Sequence, residues 1–392
     1  VDGGTVADPA STTDVVTACG WGRKSLPQPQ AVTTSVVDAG SATVPPSTLL
    51  LIALGSELSE PGNAGADLRV DTELTEPAKT REGGGSERTE PILEGAYDYV
   101  VLDAANFAHR YWWPLRDATT SSGRDHSLEC GFVSGLCACL RQNPNAQLVL
   151  AWDGDPIRQR AEYPDYKANR VDNADRPPDW AERCCRLRVA LAHLIPTLHD
   201  PADEADVEIA RFVHHRPEQS VLVVSADSDL LMLVSPRVHV LQPMSPAKVY
   251  RPEDVEAKYG FPAARLPLFK ALTGDRSDNV RGLPHFPSNT ARELVRHFDS
   301  VESLYRGLRD AGRTDLPKLT ELQSKKLLDG EAQVRVNDRL VNLLNATDGP
   351  HLNQPSGDAA TIVELLSELE LAGLAEKFVD GVSISSGTAT RS

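Results

Sequence analysis

The chain has 392 residues, with 40 Lys+Arg against 56 Asp+Glu and a formal net charge of −16. At about 100–200 residues per domain this allows two or three domains with a full core, and the acidic balance argues against a protein that coats nucleic acid by bulk charge. The longest aliphatic run, Leu49 to Leu54, falls far short of the roughly 20 apolar residues that span a bilayer.

Residues 1–95 hold 14 Asp+Glu and 6 Lys+Arg and are rich in Ser, Thr, Pro, Gly and Ala without sustained periodicity. They read as a disordered acidic tail or linker. No charged-then-apolar leader opens the chain. The acid-poor stretch from Val15 to Val37, with Arg23 and Lys24 as its basic residues, is a weak match to a transit peptide. The six cysteines (19, 130, 137, 139, 184 and 185) form no C-x-x-C pair or zinc spacing. They are expected to be free thiols in a reducing, intracellular compartment.

Order is expected from Tyr97. Tyr97–Asp103 is a β-rich run ending in an acid. Leu128–Leu140 has helical apolar spacing, and Gln147–Asp153 is a second strand ending in Asp. Helices follow at Trp180–Leu194 and Asp203–His214. Val221–Asp227 is a third strand ending in Asp, then comes a short helix from Asp229 and a fourth strand at Val238–Leu241. This alternation predicts an α/β fold with a doubly wound, mainly parallel sheet over 96–251. A helical region is expected over 252–380, with helices at 252–259, 263–273, 288–298, 300–309, 319–328, 331–345 and 359–378, and a disordered tail over 381–392.

Three strands ending in Asp103, Asp153 and Asp227 place three carboxylates on one rim of such a sheet, where open α/β sheets bind ligands. Glu204, Asp206, Asp229, Asp275 and Asp278 add further acids at motif-like positions. Singly, each acid fits a turn or an N-cap. Together, eight acids would repel one another, and hard oxygen ligands select Mg²⁺ or Mn²⁺. Two such ions form the usual clamp for phosphodiester hydrolysis. Residues 158–188 carry eight Lys+Arg against six acids. There Arg158, Arg160, Lys167 and Arg170 interleave with Tyr163 and Tyr166, a pattern suited to phosphates and stacked bases, and equally to a solvated segment.

The ordered series of motifs resembles the 5′–3′ exonuclease and flap endonuclease family, found at the N-terminus of bacterial DNA polymerase I and in free-standing phage exonucleases. The landmarks are Leu102-Asp103-Ala104-Ala105-Asn106, Trp152-Asp153-Gly154 with Tyr166-Lys167-Ala168-Asn169-Arg170, Glu204-Ala205-Asp206, Ser225-Ala226-Asp227-Ser228-Asp229-Leu230-Leu231 and Thr273-Gly274-Asp275-Arg276-Ser277-Asp278-Asn279. The resemblance implies a metal group of Asp103, Asp153, Glu204, Asp206 and Asp227, with Asp229, Asp275 and Asp278 serving a second ion. It also implies that Lys167 clamps the scissile phosphate and Arg170 guides the 5′ strand, within a helical arch. A helix-hairpin-helix gripping the duplex would fall at Gly282 to Ala291, with Gly282, Ser288, Asn289 and Thr290 as contacts. The implied partners are DNA with 5′ ends or flaps, or an RNA–DNA hybrid, acted on by a monomer with a separate polymerase and ligase.

Two departures stand out. Val207 replaces the second Asp of the family's "EADD", with Asp203 as a possible substitute. The family's "PGIGPKTA" reads Pro284-His285-Phe286-Pro287-Ser288-Asn289-Thr290-Ala291. Loss of both glycines and the lysine puts K⁺ and duplex binding there in question, since Pro287 has no amide to donate. The leading expectation is a Mg²⁺-dependent 5′ nuclease. The alternatives are a weakened nucleic-acid-binding module of the same fold, and a ribonuclease with a related metal-acid site. The helical C-terminal region counts against the ribonuclease.

Overall fold

In the computed structural model, residues 97–170, 175–244, 246–310 and 319–389 are described. The acidic tail expected over 1–95, with Cys19, lies outside them.

The elements come in the order β1 (Tyr99–Asp103), α1 (Ala104–Trp112), α2 (Ser127–Gln142), β2 (Gln147–Ala151), α3 (Ile157–Glu162), α4 (Trp180–Leu191), β3 (Thr197–Leu198), α5 (Ala205–His214), β4 (Val221–Val224), β5 (Val238–Gln242) and β6 (Lys248–Tyr250). They continue with α6 (Pro252–Tyr259), α7 (Leu266–Thr273), β7 (Gly274–Asp275), β8 (Val280–Arg281), α8 (Ser288–His297), α9 (Val301–Arg309), α10 (Glu321–Asp329), α11 (Glu331–Val341), β9 (Leu352–Asn353), α12 (Ala360–Glu368) and α13 (Ala372–Ala389). Each strand and helix predicted from periodicity is present, except that the single helix expected over 359–378 is two, α12 and α13. The sequence reading missed α1, α3 and the short strands β3, β6, β7, β8 and β9, which are too brief to carry a period.

The main sheet has the order β6-β5-β4-β1-β2-β3-β9. Its five inner strands are parallel, and β6 and β9 add antiparallel edges. The period-2 alternation of strand side chains divides the core between the two faces. Val101, Val149, Val221 and Val240 join α5 and helices α6–α11 in one cluster. Val100, Leu102, Leu150 and Leu222 join α1, α2, α4, α12 and α13 in the other. The predicted boundary at 251/252 is a change in element type, while both cores run across it. The last helix continues to Ala389, past the boundary drawn at 380. Cys130, Cys137, Cys139 and Cys184 are free thiols. Among the described residues no helix is long and apolar enough to cross a membrane.

Candidate active site

The sheet order sets the site. β1 lies between β2 and β4, and all three are parallel and point their carboxyl ends to one rim. Asp103 ends β1, Asp153 stands two residues beyond β2, and Asp227 three beyond β4. Ligands of open α/β sheets sit at this kind of switch in strand order.

Asp103 also starts α1. One of its carboxylate oxygens accepts from Asn106 N at 3.1 Å as an N-cap, and the other accepts from Ser225 Oγ at 2.7 Å. Burial, then repulsion from Asp153 and Asp227, pushes its pKa up to about 7 despite those hydrogen bonds. Asp153 Oδ1 accepts from Ala205 N at 2.9 Å, which ties the end of β2 to the start of α5. Glu204 and Asp206 flank that same turn. Both have raised pKa values, first because their carboxyl groups are desolvated. For Asp206, Glu204 is the next cause, opposed by Lys167. Asp103 feels repulsion from Asp153 and Asp227, and Asp206 from Glu204, Asp227 and Asp153, so these acids are neighbours, but among the described residues no three of them bring ligand oxygens within 4.8 Å of one another.

Lys167 and Tyr166 close this group from the other side. The Lys167 ammonium pairs with Glu204 and lies 3.5 Å from Asp278 Oδ1. Burial works against its charge, but Asp206, Glu204 and Asp278 outweigh that and raise its pKa. Its backbone is left-handed (φ 55°), an uncommon state for a residue with a Cβ, held by its N–H on Asp278 O at 2.9 Å. Tyr166 was expected to face nucleic acid. It is instead 3% exposed, with its hydroxyl 2.9 Å from Glu204 and 3.0 Å from Asp278. The phenol has one proton to share between these two carboxylate oxygens. Arg170 reaches Asp278 Oδ1 at 2.9 Å and stays half-exposed.

The second acid group is held by a residue that sequence reasoning missed. Lys270, in the last turn of α7, places its ammonium on Asp229 and 2.6 Å from Asp275 Oδ2. Asp275 also accepts from Ser277 N at 2.8 Å. Burial opposes ionisation of Asp275, but Lys270 and Ser277 hold its pKa down at about 2. Asp229 is pushed up to about 6, by burial first and by Asp227 and Asp275 against the pull of Lys270. Oxygens of Asp229, Asp275 and Asp278 lie within 4.8 Å of one another, a spacing that suits a metal ion. Lys270 precedes Asp275 by five residues, but no local pattern links it to Asp229, 41 positions away.

Other predicted contacts are placed differently. Arg158 pairs with Asp200 and Asp203 while about half of its side chain stays exposed. Asp203 is buried between Arg158 and Arg211, so it does not stand in for the carboxylate missing at Val207. Arg160 sits 3.7 Å from Asp155 and remains half-exposed, and Tyr163 is partly exposed. Gly282 is a packing glycine: a Cβ there would meet Thr273 O at 2.2 Å. Ser288 and Asn289 are exposed at the start of α8, whereas Thr290 Oγ1 accepts from Gln323 Nε2 at 3.0 Å. His285 takes a left-handed φ of 52° where the family motif has glycine.

Residues 98–260 match the family described as "5′-3′ exonuclease, N-terminal resolvase-like domain". A thermostable DNA polymerase I from Thermus filiformis is 30% identical over 285 residues, covering 71% of this chain and 33% of the relative. DNA polymerase I of Mycobacterium tuberculosis is 32% identical over 234 residues, covering 57% and 25%. The chain thus spans a third or less of these relatives. A bacteriophage T5 flap endonuclease, solved with DNA and metal ions, superposes with a TM-score of 0.51 at 17% identity, covering 74% of this chain and 99% of that one. The T5 5′-exonuclease with bound zinc gives 0.50 at 17%, covering 73% and 99%. These two likenesses bear on the fold.

Proposed function

Because the chain belongs to the 5′–3′ exonuclease and flap endonuclease family, we propose that it is a divalent-metal-dependent 5′ nuclease. Its substrates would be DNA, or RNA in RNA–DNA hybrids, at 5′ ends and flaps, cut to leave a 5′-phosphate. The observation that carries this reading is the pair of oxygen-lined groups on the carboxyl rim of the sheet. Asp103, Asp153, Glu204, Asp206 and Asp227 set five carboxyl groups against one ammonium, that of Lys167, and six of their pairings are repulsions that raise pKa values. A hard divalent cation, Mg²⁺ or Mn²⁺, matches this donor set. Asp229, Asp275 and Asp278 would hold a second.

Ions bound there would supply Lewis acidity toward the phosphodiester and acidify a water. The protein's own residues do the rest. Asp103 and Asp153 are fixed by hydrogen bonds from Ser225 and Ala205. Lys167 and Arg170, drawn toward Asp278, present positive charge beside the acids where a phosphate would seat. Arg160, Tyr163, Ser288 and Asn289 extend that surface. Action as a monomer belongs to the same proposal.

The test is cleavage of a 5′-labelled flap with Mg²⁺ against Asp227→Asn. Wild-type turnover well above the variant is expected, and equal rates would sink the reading. Val207 gives a second test. It is half-buried in the first turn of α5 against the core, next to Asp206. Val207→Asp adds a carboxylate there. It is expected to lower the Mg²⁺ concentration for half-maximal cutting several-fold, by one more charged ligand, while lowering the metal-free melting temperature. An unchanged Mg²⁺ requirement would show that position 207 lies outside the metal group.

A further inference from the structure

We infer that Arg158 is a positioning residue for the metal acids rather than a phosphate contact, an inference that rests on the nuclease reading above. Arg158 is the second residue of α3, the helix that leads into Tyr166–Arg170. Its guanidinium lies 3.1 Å from Asp200 Oδ2 and also pairs with Asp203. The same two acids meet a second guanidinium from below. Buried Arg211 of α5 lies 2.8 Å from Asp203 Oδ2, 3.8 Å from Asp200 Oδ2 and 2.5 Å from Glu208 Oε1. His351, just before β9, completes the set with Nδ1 3.0 Å from Glu208.

This network grips the loop on which the metal acids are mounted. Asp203, 1% exposed, directly precedes Glu204. Its carbonyl accepts from Gly154 N at 2.8 Å, and Gly154 directly follows Asp153. The fit is close enough that a Cβ on Gly154 would meet Asp200 O at 2.1 Å and Asp203 O at 2.7 Å. Asp153 in turn accepts from Ala205 N. The 200–204 loop is therefore the seat for both Asp153 and Glu204, and Arg158 holds it from the arch side. At the far end of α3, Glu162 pairs with Arg339 of α11. Clamped at both ends, α3 delivers Lys167 to the acids in a fixed register. Losing Arg158 loosens the seat of two acids at once and leaves Asp203 with one guanidinium.

The test measures Mn²⁺ binding to the metal-free full chain by electron paramagnetic resonance, in wild type, Arg158→Gln, Asp203→Asn and the double variant. Each single change is expected to weaken Mn²⁺ binding roughly tenfold, the effect of losing a group that orients metal ligands. The double variant should be no weaker than either single, because the two act as one unit. Arg158→Lys, which keeps the charge but not the forked geometry, should fall between wild type and Arg158→Gln. This provides a readout if Arg158→Gln does not fold. Binding of a 5′-flap oligonucleotide in EDTA should keep its salt slope in Arg158→Gln.

A phosphate contact predicts the opposite pattern. Mn²⁺ affinity would stay unchanged, the salt slope would fall by about 1, and Asp203→Asn would tighten DNA binding by releasing the guanidinium. Any of these overturns the inference. Absence of Mn²⁺ binding in the wild type would instead defeat the nuclease reading, and the inference with it.

Discussion

Metal-free protein should lose thermal stability as pH rises from 4 to 7, and Mg²⁺ should restore it. Asp103 has a pKa of about 7 in the fold against 3.8 as a free side chain. A carboxyl whose folded pKa lies above its unfolded value binds more protons when folded. Its contribution is therefore complete below pH 4 and is lost as pH climbs through 7. A shift of about three units is worth roughly 4 kcal/mol. For a domain of this size that is on the order of 10 °C in melting temperature. Asp229, at about 6, and Glu204 and Asp206, also raised, act in the same direction. Asp275, held at about 2, acts with opposite sign, but its window lies below pH 4 and does not offset them. Melting scans in EDTA from pH 4.5 to 8 should fall along this slope, and scans in excess Mg²⁺ should flatten. A flat profile in EDTA would mean that the acids are not crowded as described.

The second large effect belongs to Lys270. Its ammonium is almost enclosed and serves both Asp229 and Asp275. Lys270→Met keeps much of the side-chain volume but leaves two buried carboxylates facing each other. Breaking a buried pair from one side costs about 3–5 kcal/mol, because the remaining charge is left without compensation. Asp229 can escape by taking a proton, its pKa already being raised. The loss should therefore be smaller at pH 5 than at pH 8. Urea unfolding at both pH values, with and without Mg²⁺, measures this. Mg²⁺ is expected to recover more stability in the variant than in wild type, since the ion can replace the lost positive charge. Equal Mg²⁺ effects in the two proteins would place the ion away from Asp229 and Asp275.

Lys270 also marks where linear reasoning stops. Short, nearly continuous runs rich in valine and leucine announced β1, β2, β4 and β5, because strands buried on both faces have no polar side to alternate with. The acids at their ends were legible because strand ends of a parallel sheet share a rim whatever the loops do. Tyr166 and Arg158 read as nucleic-acid contacts because composition reports which groups are present, not which way they face. Tyr166 turned inward to Glu204 and Asp278, while Arg158 pairs with Asp200 and Asp203 from a half-exposed position. The mainly parallel sheet, the helical second half and the roll of acids each follow from local periodicity or from position along a strand. Which cations answer those acids depends on how the whole chain packs. Lys270 and Asp229 are 41 residues apart and Arg158 and Asp203 are 45 apart, and pairing over such distances is set by how helices pack on the sheet rather than by any pattern along the chain.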